Sequence, residues 1–314
     1  MSRSPHTVFQ APESGPAGEL ACGRFRFALK RPLVMGILNI TPDSFSDGGR
    51  YLSQTAALER ARVMLDEGAD LIDVGGESTR PGAAALSLDE ELRRVAPVVD
   101  ALVRDGIPVS VDTYKPAVMR EVLAAGADMI NDIRAFAEPG ALAAVVDHGC
   151  ALCAMHMLGE PRSMQRDPVY ADVVTEVRDF LAARVAALQA AGVERARIVV
   201  DPGFGFGKTL VHNFTLLARL GATAPAGVPI LAGLSRKSML SAASGGQAPE
   251  QRLAASLGAA VCAAERGAAI IRVHDVRATV EALRVWAAVR DPAAQWPSVR
   301  TPAATVHLNQ ETNR

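Results

Sequence analysis

The chain is 314 residues long, 49% hydrophobic and 21% charged, enough to bury a large core as one barrel or two ordinary domains. Its 33 Lys and Arg against 34 Asp and Glu leave a net charge of -1, so no broad basic field is present to hold nucleic acid or an acidic membrane, and a small-molecule substrate is the default. The longest near-apolar run, 253–264, is short of the ~20 residues of a membrane helix, and the N-terminal segment lacks the apolar core of a signal peptide, so the expected location is the cytoplasm.

Residues 1–22 lack periodicity and read as a poorly ordered tail. The first strand is LVMGILN, Leu33–Asn39. From there one phrase recurs: a helical stretch ends in Gly, and a short apolar run follows that stops at a polar residue. It occurs as EGADLIDVGG, DGIPVSVD, AGADMIND, HGCALCAMH, AGVERARIVVD, AGVPILAGLS and RGAAIIRVH. The Gly suits the left-handed position that closes a helix, and each short apolar run is the signature of a strand covered on both faces. The intervening segments read as amphipathic helices, among them 54–67 with Ser53 as N-cap, and 88–104 behind the capping box Ser87-x-x-Glu90. Eight strands and eight crossovers predict one (β/α)8 TIM barrel over residues 23–290, for which ~250 residues is usual. A doubly wound sheet is the alternative. Residues 291–314 read as a second poorly ordered tail.

Two motifs invite misreading. Residues 201–209, DPGFGFGKT, look like a nucleotide phosphate loop, but Pro202 stands where the first Gly is needed; proline fixes φ and has no N–H to donate to a phosphate. Lys208 is therefore expected at the surface with no site role. The spacing Cys150-x-x-Cys153 with His148 and His156 nearby suggests zinc, but on a strand it puts the two thiols on opposite faces, so a structural reading is preferred.

In such a barrel the chemistry lies at the C-terminal strand ends and the loops beyond them. Those ends carry Asn39, then Glu77, Ser78, Thr79 and Arg80, then Asp112, Asn131, His156, Asp201, Ser235 to Lys237, and Arg272 to His274. Each alone could be a solvated loop residue or a helix cap; a polar group at every strand is improbable on those terms. Arg272 and His274, two apart on a strand, can clamp an anion, with Arg236 and Lys237 arriving from the neighbouring loop. Asp112, Asn131 and Asp201 form an acceptor-rich set that suits a planar, donor-rich heterocycle, unless the two carboxylates only pair with Lys237 and Arg236. The loops NITPDSFSDGGRY and GGESTRPGA read as lids. Asn39 and Asp43 offer hard oxygens of the kind Mg²⁺ takes together with phosphates, although Asp43 equally reads as a turn residue in TPDS.

The chain resembles the bacterial dihydropteroate synthases. The matching segments are MGILNITPDSFSDGG (35–49), DVGGESTRPGA (73–83), SVDTYKP (110–116), NDI (131–133), MHMLGEPRSMQ (155–165), DPGFGFGKTLVHN (201–213), GLSRKSML (233–240) and RVHDV (272–276). The resemblance implies a homodimeric barrel that joins 6-hydroxymethyl-7,8-dihydropterin diphosphate to 4-aminobenzoate with Mg²⁺, and that sulfonamides inhibit in competition with aminobenzoate. It assigns Asp112, Asn131, Ile133, Met155, Asp201, Phe206, Gly233 and Lys237 to the pterin, with Asp112, Asp201 and Lys237 acting electrostatically. It assigns Thr79, Arg272 and His274 to the diphosphate, with Asn39 at the metal. Phe45, Arg80, Pro81 and Ser235 fall to the aminobenzoate. For a dimer, an apolar face of Leu253, Leu257, Val261, Leu283 and Val285 is available on the last helices. Two alternatives remain: a pterin barrel transferring a methyl group to a corrinoid partner, and a pterin-binding paralogue without turnover.

Overall fold

The computed structural model describes residues 18–40, 49–77, 86–160 and 163–293, the side chains of 49–53 excepted. It opens with an antiparallel hairpin, β1 (Glu19–Cys22) and β2 (Phe25–Ala28). This corrects the expected tail: Leu20, Ala21 and Cys22 are buried, so residues 19–22 belong to the folded body. Leu20, Cys22 and Leu29 join the apolar cluster inside the barrel with Leu33, Met35, Leu71 and Met129. Arg24 secures the hairpin, donating to both carboxylate oxygens of Asp128 at 3.0 and 2.8 Å and to the carbonyls of Val103 and Ile107. The hairpin thereby caps the N-terminal end of the barrel.

Eight parallel strands follow: β3 (Leu33–Asn39), β4 (Leu71–Gly75), β5 (Val109–Asp112), β6 (Met129–Asp132), β7 (Ala151–Met155), β8 (Ile198–Asp201), β9 (Ile230–Ala232) and β10 (Ala268–Val273). They close in the order β10-β3-β4-β5-β6-β7-β8-β9, so the (β/α)8 barrel expected from the repeat is the observed fold and the doubly wound sheet is not. The helices are α1 (Gly49–Asp66), α2 (Leu88–Arg104), α3 (Pro116–Ala124), α4 (Ala141–Val145), α5 (Val173–Ala190), α6 (Leu210–Ala218), α7 (Ser238–Ser244), α8 (Leu253–Glu265) and α9 (Val276–Arg290). The crossover from β9 to β10 thus carries two helices.

The strand periodicity sorts side chains into two clusters. In β4, Leu71 points inward while Ile72 and Val74 pack outward on the helices. Each such fully buried aliphatic side chain contributes about 1.5 to 3 kcal/mol, and the outer cluster, fed by every barrel strand and every helix, dominates the core. Cys153 falls in the inner cluster and Cys150 in the outer, the opposed faces that the spacing requires. Ser87 accepts from the backbone N–H of Glu90 at 3.3 Å, as the capping motif predicts. Ser53 does not cap α1, because that helix starts at Gly49.

Candidate active site

Parallel register brings the predicted rim residues to one level. Asn39 pairs with Gly75, Gly75 with Asp112, and Asp112 with Asn131. Residues directly opposite on neighbouring strands point to the same face, so Asn39, Asp112 and Asn131 share the inner face. Gly75 leaves room between them: a Cβ there would lie 3.5 Å from Asn39 Oδ1 and 3.7 Å from the Asp112 Cβ. Across the barrel Met155 pairs with Asp201, Ile133 follows β6 and Gly233 follows β9, and all four are buried. Asp43, Phe45, Thr79, Arg80 and Pro81 lie outside the described residues.

An ion network joins the two sides. Arg272 donates from Nε to Asp73 Oδ2 at 2.5 Å and from Nη2 to Asp112 Oδ2 at 2.9 Å, and Asn131 Nδ2 donates to the same Asp73 oxygen at 3.3 Å. Arg272 therefore sits among the acidic groups, where the sequence pattern had it facing an anion; among the described residues its Nη1 hydrogens have no hydrogen-bond acceptor, and they remain for an anion. Burial, opposed by Arg272 and reinforced by Asp73, raises Asp112 to about 7. Burial also raises Asp201 and lowers Lys237 to about 8. Opposite charges a few ångströms apart in a poorly solvated pocket each resist ionising alone and stabilise one another.

Asp73 escaped the sequence reading, which began the strand-end set of β4 at Glu77. It is fully buried, and among the described residues its Oδ1 has no hydrogen-bond partner, nor has Ser110 Oγ, its register neighbour on β5. The available signal was a carboxylate inside a five-residue buried strand, LIDVG, since carboxylates are almost never fully buried unless paired.

The 201–209 turn is held to the end of β7. Gly203 has φ 69°, and a Cβ there would stand 1.9 Å from the His156 carbonyl oxygen; Gly207 has φ 63° and would meet the Leu158 carbonyl oxygen at 2.5 Å. The glycines serve this close packing and a left-handed backbone. Gly203 N–H donates to Asp201 Oδ1 at 2.7 Å, which orients that carboxylate. Lys237 donates from Nζ to the Phe204 carbonyl and lies 4.7 Å from the centre of the Phe206 ring, a cation–π distance. Lys208, expected at the surface, is 3% exposed: its ammonium finds acceptors at His156 Nδ1, 2.9 Å, and the carbonyls of Gly203 and Phe206, both 3.0 Å.

On the cationic side, Ser235 Oγ lies 3.0 Å from His274 Nδ1 and accepts from His274 N–H at 3.2 Å, so the residues assigned to aminobenzoate and diphosphate are neighbours. Arg236 is not part of this group. Its guanidinium pairs with Asp275 at 2.6 and 3.1 Å instead of joining Arg272 and His274, and the alternative pairing of Arg236 with Asp112 or Asp201 does not form among the described residues. Among the described residues no group of three or more His, Cys, Asp or Glu side chains could hold a metal ion.

A closed parallel barrel whose rim gathers buried carboxylates, an amide and two cations defines a (β/α)8 enzyme of the pterin-binding class, and the family model for pterin binding enzymes matches residues 35–274. The dihydropteroate synthase of Escherichia coli (strain K12) is 52% identical over 262 residues, covering 82% of this chain and 91% of its own. The Burkholderia cenocepacia dihydropteroate synthase in complex with 7,8-dihydropteroate superposes with a TM-score of 0.82 at 60% identity, covering 88% of this chain and 98% of that one. The Yersinia pestis dihydropteroate synthase with a sulfonamide drug complex gives 0.82 at 49%, covering 87% and 99%. The chain belongs to the dihydropteroate synthases.

Proposed function

We infer that the barrel mouth condenses 6-hydroxymethyl-7,8-dihydropterin diphosphate with 4-aminobenzoate to give 7,8-dihydropteroate and diphosphate. The observation that carries this reading is the juxtaposition, at the C-terminal mouth of the barrel, of the acceptors Asp112, Asn131 and Asp201 with Lys237 and Arg272. The pterin's amino-pyrimidinone edge donates to the carboxylates and the amide, while Lys237 donates to the ring, with Met155, Ile133, Phe206 and Gly233 as apolar walls. The methylene C–O bond breaks and diphosphate leaves. The electron-rich pterin carries the positive charge that results, and Asp112 and Asp201 face it. Their attraction is stronger for the cationic transition state than for the neutral substrate, which is what lowers the barrier. The amine of 4-aminobenzoate then forms the C–N bond and gives up one proton.

Arg272 Nη1 and His274 take the diphosphate, and Ser235, hydrogen-bonded to His274, takes the aminobenzoate carboxylate. Thr79 joins the first group, and Phe45, Arg80 and Pro81 the second. Mg²⁺ is part of the proposal. The inner-face amide of Asn39 is a hard oxygen donor beside the space left by Gly75, and one such ligand suits an ion held chiefly by phosphate and water; Asp43 is its second candidate ligand. When bound, the ion neutralises charge on the leaving group.

The corrinoid-linked alternative leaves the cationic pair at β10 unused, and the relatives named above are synthases. For the dimer, Leu253, Val285 and Val289 are exposed on α8 and α9 at 41%, 66% and 78%, an apolar face that a second copy covers; Leu283 is buried in the core and drops out of it. No helix among the described residues is long and apolar enough to cross a membrane. The free thiols Cys22, Cys150 and Cys153 support a reducing, cytoplasmic location.

A sulfonamide tests the aminobenzoate half. With dihydropterin diphosphate saturating, the drug is expected to raise the KM for 4-aminobenzoate in proportion to its concentration while kcat holds. Inhibition that rising 4-aminobenzoate does not relieve would place the drug, and the pocket, elsewhere.

A further inference from the structure

Lys208 is buried at the back of the pterin wall with its whole hydrogen-bonding capacity spent. An ammonium has three hydrogens, and three acceptors, His156 Nδ1, Gly203 O and Phe206 O, stand within 3.0 Å of Nζ. No donor is left for a phosphate or a ring. We propose that Lys208 is a positioning residue for the pterin half of the site, holding the 203–207 turn from which Asp201, Phe206 and Lys237 take their places. The proposal rests on the pterin reading above.

Three links connect the ammonium to the site. Gly203 offers its carbonyl to Lys208 and its N–H to Asp201 Oδ1, so moving that peptide turns the carboxylate. The Phe206 carbonyl is fixed by Lys208 while the Phe206 ring lies against Lys237 Nζ. Between the two stands Phe204, whose carbonyl accepts from Lys237. The turn has other supports: Asn213 Oδ1 accepts from Gly205 N–H at 2.7 Å, and Tyr170 donates to the Gly207 carbonyl at 2.8 Å. These hold its far side; the Gly203 carbonyl also accepts from Phe206 N–H at 3.1 Å, and Lys208 binds that carbonyl and the Phe206 carbonyl together, tying both ends of the turn.

His156 completes the arrangement. Its ring packs edge-on against Phe180 of α5 at 4.9 Å, and burial, helped by Lys208, pushes it down to about 3. The neutral ring accepts at Nδ1, with its proton on Nε2. Gly203, whose Cβ would collide with the His156 carbonyl, lets the turn approach closely enough for one lysine to reach both. The Lys of the Gly-Lys-Thr sequence thus works inside its own loop, and Thr209 starts α6 by accepting from His212 N–H at 3.2 Å.

Lys208→Met keeps the length of the side chain and removes the charge and all three donors. Thermal unfolding establishes that the variant is folded, and dihydropteroate formation is measured with each substrate varied against a saturating partner. The KM for dihydropterin diphosphate is expected to rise about tenfold or more, with the KM for 4-aminobenzoate within about twofold of wild type. Should Lys208→Met not be recovered folded, His156→Leu removes one acceptor and leaves both carbonyls, and the pterin KM alone is expected to rise by about threefold or more. An unchanged pterin KM in a folded variant, or equal rises for both substrates, overturns the proposal. Wild-type protein that forms no dihydropteroate overturns the reading beneath it instead, and the two failures are distinguished by that control.

Discussion

Asp112→Asn is expected to cut kcat by about 30- to 1,000-fold, the equivalent of roughly 2 to 4 kcal/mol lost from a preorganised charge contact. The carboxylate sits at the end of β5, on the level of Asn131, with Oδ2 already 2.9 Å from Arg272. The amide preserves shape and one acceptor but carries no charge for the pterin-methyl cation. Arg272 keeps Asp73 as a partner at 2.5 Å, so the variant is not left with an unpaired buried guanidinium and should fold. Circular dichroism and thermal unfolding serve as the control, and the rate of dihydropteroate formation as the readout. Turnover near wild type would remove Asp112 from the electrostatic role given to it.

Lys237→Ala should be comparably severe, again about 2 to 4 kcal/mol, with a distinct pH signature. Burial lowers Lys237 to about 8, against the attraction of Asp201 and with Arg272 adding repulsion. Its protonated form therefore dominates below about 8 and is lost above it. For wild type, kcat/KM is expected to fall as pH rises through that value, because the free enzyme then loses the donor to the pterin ring and the cation against Phe206. In Lys237→Ala the residual activity should lack that alkaline limb. A variant that retains the limb would assign it to another group.

What the sequence disclosed, and what it did not, follows from which interactions are local. The barrel was legible because every barrel strand after the first is announced twice, by the glycine that ends the preceding helical stretch and by an apolar run too short to be a helix. The rim was legible because a parallel barrel puts all strand C-termini at one end, so Asp112, Asn131, Asp201 and Arg272 could be gathered before any contact was known. Partnership was not. Arg272 meets Asp73 across 199 positions in the chain, and Arg236 turns away to Asp275, with φ 60°; neither choice has a local cause. Lys208 was misplaced for the same reason: a lysine beside three glycines reads as exposed, and only the packing of the turn on His156 buries it. The β1–β2 hairpin was hidden in a polar segment whose few apolar residues fold into the barrel's stopper.

Diphosphate release by the wild-type protein, measured with dihydropterin diphosphate and Mg²⁺ in the presence and absence of 4-aminobenzoate, bears most directly on the assignment of the barrel mouth. Release that requires 4-aminobenzoate, with one dihydropteroate formed for each diphosphate, is the predicted result. Pterin binding without release, or release with no dihydropteroate formed, would contradict it.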